Sequence, residues 1–177
     1  MDIMTLYYSI NFFWIWFNLF VIAPFFIAFI FRIRNPSLKE KLWTDHLSRI
    51  SLTATLIFYA IDTMVKAYVD GTDSICEKAV TIHHVASFFI IGPLILNEYI
   101  PWWVNPVGFI HGYIVFFDDH VKVQYFYAIF MMFFQYMLYQ KPYRDLKGYW
   151  IIRIAINFVW VFILIYRLGD CSNYLPT

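Results

Sequence analysis

The chain is written mostly in long apolar runs separated by short polar stretches. About 20 consecutive, predominantly apolar residues are what a helix needs to cross a bilayer core. Six runs approach or exceed that length, and each is predicted to be a helix. The first covers Met4 to Phe31, long enough to tilt, with a bend at Pro24 where proline removes a helix donor. The second runs from about Ile50 to Val69, the third from Ala79 to Leu96 and the fourth from Tyr99 to Phe117. The fifth covers Val123 to Tyr139 and the sixth Tyr149 to Tyr166. Spans three to five are short, and Gly92, Pro93, Pro101 and Pro106 are expected to interrupt the third and fourth. Broken backbone of that kind needs shielding by neighbouring helices. The pattern therefore predicts an all-α fold: one polytopic transmembrane helical bundle of about six spans over residues 1–177, without linker or repeat. The first run follows Asp2 rather than a basic stretch, so it reads as a span and not as a secretory signal.

Composition removes the soluble alternative. Of 177 residues, 62% are hydrophobic and only 14% charged, whereas soluble domains carry about a quarter charged residues. The net charge of +1 offers no footprint for nucleic acid. Two cysteines, Cys76 and Cys171, are too few for a disulfide scaffold and lack metal-ligand spacing. A single bond between them is open to the chain in an oxidising compartment.

Lysine and arginine placement gives an orientation. Arg32, Arg34, Lys39, Lys41 and Arg49 flank the first connection, and Lys141, Arg144 and Lys147 lie in the last. The opposite side holds Lys66, Lys78, Lys122 and Arg167, while Arg153 sits inside the sixth span, near enough to its positive end to snorkel. Both termini should then face away from the cytoplasm or matrix. Cys76 and Cys171 should share one side, opposite Lys41 and Arg144. The interface belt would include Trp102, Trp103 and Trp150.

Ionisable residues inside the spans are the chemical signal, because each is costly in hydrocarbon. Asp62 lies in span two, His83 and His84 open span three, His111 lies in span four, and Asp118 and Asp119 end it. At a rise of 1.5 Å per residue, His111 lies roughly 10 Å below Asp118, His83 roughly 7 Å below Lys78 and Asp62 about 12 Å below Asp70. Three helices thus bring carboxylates and imidazoles to one layer. The plainer readings are a pair between Asp62 and Lys66, one turn apart, a solvated helix end at Asp118, Asp119 and His120, and histidines satisfied by packing.

The stretch Asp73-Ser-Ile-Cys-Glu-Lys-Ala-Val-Thr-Ile-His83-His84-Val-Ala-Ser, followed by His111 and then acidic residues, resembles the TLC domain. That family includes ceramide synthases and translocation-associated membrane proteins. Its ceramide synthases open one helix with a His-His pair and carry a His-Asp-x-x-Asp motif on the next. Asp62 resembles an Asp on the preceding helix. The resemblance covers about residues 50–130 and departs at one point: Gly112 follows His111, and the acids come at Asp118 and Asp119. It implies a TLC-like core that binds or acts on membrane lipid, with acyl transfer from a fatty acyl-CoA to an amine or hydroxyl as its reaction. A histidine among His83, His84 and His111 would serve as general base, and Asp62 or Asp118 would orient it.

Other readings compete. Small size, short loops and the lack of a soluble domain suit a non-catalytic accessory subunit of a larger membrane complex, such as a mitochondrial respiratory or ATP synthase assembly. Imidazole and carboxylate also suit zinc or iron, and His84 with His111 could hold a haem between helices. No glycine-rich phosphate loop is present, and no cofactor is assigned. Either the endoplasmic reticulum or the mitochondrial inner membrane fits this sequence.

Overall fold

The computed structural model describes residues 43–69, 74–109, 120–168 and 171, together with Thr5, Ala23, Phe26, Ile27 and Ile30. Among them all regular structure is helical: α1 (Trp43–Val69), α2 (Ile75–Ile95), α3 (His120–Leu138), a single 3₁₀ turn (Lys141–Tyr143) and α4 (Tyr149–Leu168). A short helix over 104–109 precedes α3. Most of the first predicted span and the second half of the fourth lie outside the described residues. Among the described residues two helices, Ile75–Ile95 and Tyr149–Tyr166, are long and apolar enough to cross a membrane.

Four of the predicted helices correspond to α1 to α4, with boundaries displaced for identifiable reasons. α1 starts at Trp43, seven residues before the predicted Ile50. Its first turns are polar, but the polarity is satisfied elsewhere in the fold. Asp45 accepts from the Ile100 N–H at 3.4 Å, and the Ser48 hydroxyl donates to Asn105 Oδ1 at 2.6 Å. α2 starts at Ile75 rather than Ala79 because Ser74 and Glu77 form a reciprocal capping box. The Ser74 hydroxyl accepts from the Glu77 N–H at 3.1 Å, and the Ser74 N–H donates to the Glu77 carboxylate at 3.2 Å.

Gly92 and Pro93 do not break α2, contrary to the sequence expectation. The helix continues to Ile95, so Pro93 falls in its last turn. Its missing N–H takes one donor from the preceding turn, at the Phe89 carbonyl, and the helix ends two residues later, where the terminal carbonyls must find donors outside it. They do. Arg49 on α1 donates to the carbonyls of Ile95 and Asn97, and the Asn97 amide donates to the Pro93 carbonyl at 2.8 Å. The fourth run is corrected too. It is not helical from Tyr99; turns lead through Pro101, and helix begins only at 104. A residue before proline disfavours helical backbone, which excludes Ile100. Pro106 is accommodated in the first turn, where a missing donor is harmless.

α2 is the central element, packed against α4 on one side and α1 on another, with α3 lying on α4. Ile90 and Leu94 of α2 meet Ile152, Ile156 and Val159 of α4 in a continuous apolar core. Trp103 is fully buried at one end, its ring edge-on to Phe134 at 4.7 Å and to Tyr143 at 5.4 Å. Asn97 ties this end together, because its Oδ1 accepts from the Lys147 N–H at 2.7 Å and its amide donates to the Lys147 carbonyl at 3.2 Å. At the other end a Cys76–Cys171 disulfide joins the start of α2 to the residues after α4, with Cα atoms 5.6 Å apart. Arg49 and Lys147 thus share one end of the bundle and both cysteines share the other.

Gly148 marks a close approach of α4's start to α2. Its φ is +76°, and a Cβ there would overlap the Pro93 side chain. Gly148→Ala is expected to destabilise the protein by more than roughly 1 kcal/mol, read as a lower thermal midpoint of the purified chain. An unchanged midpoint would mean that the α2–α4 approach is looser than described.

Candidate functional site

Asp62, His83 and His84 come together in the bundle interior, at 5%, 8% and 6% exposure. On α1, Tyr59, Asp62 and Thr63 fall three and four residues apart, the spacing that puts side chains on one helical face. That face meets His84. The Thr63 hydroxyl lies 2.8 Å from His84 Nδ1, and an Asp62 carboxylate oxygen lies 3.8 Å from the same nitrogen. The Tyr59 ring stacks on the His84 imidazole, with centroids 4.4 Å apart and planes 17° from parallel.

His83 looks elsewhere, because consecutive helical residues are separated by about 100° around the axis. The Tyr127 hydroxyl of α3 lies 3.2 Å from His83 Nδ1. Phe162 of α4 stacks on its ring at 4.7 Å. The two imidazole centroids are 5.6 Å apart, with the Tyr59 ring 5.6 Å from His83 as well. One turn on, the Ser87 hydroxyl donates to the His83 carbonyl at 2.8 Å. The histidine pair is therefore the place where all four helices contribute side chains.

The arrangement is anchored from the disulfide end. Phe162 packs against the small cluster of Cys76, Cys171 and Tyr166, with its ring 5.5 Å from Tyr166. A chain of contacts therefore runs from the disulfide through Phe162 to His83.

Of the residues singled out in the sequence, Asp62, His83 and His84 share this site. His111, Asp118 and Asp119 lie outside the described residues, as does the Lys66 side chain expected to pair with Asp62. Among the described residues no three His, Cys, Asp or Glu side chains gather closely enough to hold a metal ion. Four residues of the site were missed: Tyr59, Thr63, Tyr127 and Phe162. Thr63 and Tyr59 could have been found by projecting α1 onto a wheel around Asp62. Tyr127 and Phe162 carry no such signal in a chain with 14 tyrosines and 20 phenylalanines.

Chemically, the site can bind, orient and exchange a proton. Its Nδ1 atoms are tied to protein groups, which fixes both ring planes, and the aromatic rings keep the surroundings apolar. Thr63→Val keeps the shape of the side chain and removes the hydroxyl beside His84. It is expected to cost about 1–3 kcal/mol of stability, as expected when a buried partner is lost, whereas Thr63→Ser should retain most of it. Chemical or thermal unfolding of the solubilised protein measures this, and equal stability of the Val variant would remove Thr63 from the site.

Comparison with protein families, with curated proteins and with solved structures finds no match to this chain.

Proposed function

We propose that this chain is a polytopic membrane protein of TLC-like organisation, with its histidine layer as a lipid site, and that the site transfers an acyl group from acyl-CoA to a lipid acceptor. The contact that carries this reading is His84 Nδ1 against the Thr63 hydroxyl and the Asp62 carboxylate. With Nδ1 protonated, the ring donates toward Thr63 beside the carboxylate, and Nε2 becomes the basic nitrogen. Asp62 then stabilises the imidazolium that forms, the part played by the acid of a catalytic triad.

The reaction follows from that polarity. Nε2 removes a proton from the acceptor's hydroxyl or amine as its oxygen or nitrogen attacks the thioester carbonyl. The C–S bond breaks, and the departing thiolate takes the proton back from the imidazolium. His111, Asp118 and Asp119 enter through the resemblance alone, and their altered spacing sets this chain apart from the ceramide synthases.

Surface chemistry supports the membrane reading. Trp150, Ile151, Ile154, Phe158, Val161 and Leu164 form an exposed apolar stripe along α4, larger than a soluble monomer tolerates. α4 also buries Ile152, Ala155 and Ile156 on its opposite face, so both faces are apolar, with Arg153 and Asn157 between them. That is the signature of a core or membrane helix. Six spans then follow from the six apolar runs of the sequence. The disulfide supports an oxidising compartment at the Cys76 end, opposite the basic connections, and it suits the endoplasmic reticulum lumen or the space outside the mitochondrial inner membrane.

A second reading has its own support. Both imidazoles are stacked by aromatic rings and engaged at Nδ1 by hydroxyl groups, as satisfied core histidines would be. In that case the chain is an accessory subunit of a larger membrane complex, and its exposed stripes meet other subunits.

Two experiments bear on these proposals. In sealed vesicles, an impermeant maleimide with an impermeant reductant should label both cysteines from one side and neither from the other; labelling of only one would overturn the topology. For the chemistry, His84→Ala and His111→Ala should each lower transfer from a labelled acyl-CoA by about 10²–10⁴-fold while leaving the protein in the membrane. A wild-type protein without transfer, with variants that lower only abundance or assembly, would leave the subunit reading standing.

A further inference from the structure

The connection between α3 and α4 builds a second polar surface, at the end of the bundle away from the disulfide. Residues 137–149 are a succession of tight turns: Gln140 N–H to the Met137 carbonyl at 3.0 Å, Tyr143 to Gln140 at 3.0 Å, and Leu146 to Tyr143 at 3.2 Å, with Tyr149 to Leu146 completing it at 3.0 Å. Its underside is fixed. Leu146 and Tyr149 are buried, Tyr143 meets Trp103, and Asn97 grips the Lys147 backbone from both directions. Its outer side carries Lys141, Arg144 and Lys147, all exposed, with Asp145 as the single carboxylate of the stretch.

Arg153 completes the surface from within α4. It is the one charge between Tyr149 and Tyr166 of α4, and its side chain is drawn toward the helix start. Its guanidinium carbon lies 4.6 Å from the Tyr139 ring centroid and 5.1 Å from that of Trp150. Two aromatic faces thus hold a planar cation that can present paired N–H groups. Trp150 is itself two-thirds exposed, at 66%. An exposed Trp, a Tyr and a back-turned Arg at one level are what the boundary between acyl chains and headgroups selects.

We propose that this surface binds the phosphate headgroup of an anionic phospholipid. Arg153 grips the phosphate, and Lys141, Arg144 and Lys147 supply the surrounding positive charge. Guanidinium and phosphate match in geometry, which gives a charge-assisted, two-pronged contact. The apolar stripe beginning at Trp150 and Ile151 continues down α4 to receive the acyl chains. The turns are already pinned by Asn97 and Leu146, so binding orders little that was free. This inference rests on the membrane reading. It does not involve the histidine site.

The test uses the purified full-length chain in neutral detergent, titrated with phosphatidylglycerol or with phosphatidylcholine, bound lipid being counted by native mass spectrometry. Phosphatidylglycerol should bind at least about tenfold more tightly at low salt, with the preference shrinking as salt screens it. Each basic side chain removed should weaken it by about fivefold, in Lys141→Gln, Arg144→Gln, Lys147→Gln and their combination. Arg153→Gln should do the same, and Arg153→Lys should recover part of the loss. Far-ultraviolet circular dichroism confirms that each variant remains helical. Equal binding of the two lipids, or an undiminished preference in the combined Lys141→Gln, Arg144→Gln and Lys147→Gln variant, would overturn the proposal. So would displacement by glycerol phosphate at matched concentration, because that would reduce the site to one for free anions. Alkaline carbonate extraction separates the two levels. Release from membranes would sink the membrane reading itself, whereas a retained protein without lipid preference would sink this inference alone.

Discussion

The C-terminal end of α2 leaves carbonyl groups that its own helix cannot satisfy, and the answer to that requirement arranges much of the protein. Arg49 reaches from α1 to the Ile95 and Asn97 carbonyls, and the Asn97 side chain bonds Pro93 on its own helix and Lys147 on the far side of the core. An unpaired buried carbonyl or amide is expensive. Three chain segments are therefore held in register at one point. Gly148 is the corollary: the backbone that Asn97 pulls in must pass so close to Pro93 that no side chain fits between them.

The middle of α2 solves a different problem. Two adjacent histidines leave the helix about 100° apart, and although the Tyr59 ring lies against both, each Nδ1 has its own hydroxyl neighbour. His84 belongs to the α1 interface, with Tyr59, Asp62 and Thr63, and His83 to that of α3 and α4, with Tyr127 and Phe162. The polar layer therefore sits at the meeting of two packing surfaces. In the proposed acyltransferase the base and its orienting carboxylate come from α2 and α1, so their separation depends on the α1–α2 contact.

Much of this was legible in the sequence because hydropathy and cost in hydrocarbon are properties of residues. The runs located α1 to α4, and the expense of burying Asp62, His83 and His84 marked them as a set. What the runs missed depends on partners. Asp45 and Ser48 look like the polar approach to a helix until Ile100 and Asn105 satisfy them within it. Pro93 looks like a breaker until Asn97 and Arg49 serve the carbonyls around it. The disulfide joins residues 95 positions apart, and no local pattern reports such a distance. Tyr127 and Phe162 vanish among many other aromatic residues, since their roles come from where α3 and α4 cross the histidine pair.

That long separation also orders events during synthesis. Cys76 leaves the ribosome well before Cys171, and α3 and α4 are made in between. The bond can close only after the last helix has been delivered to its place beside α2. Until then Cys76 is an unbonded thiol at the start of α2. Once the bond has formed, it records that α4 has reached its place beside α2.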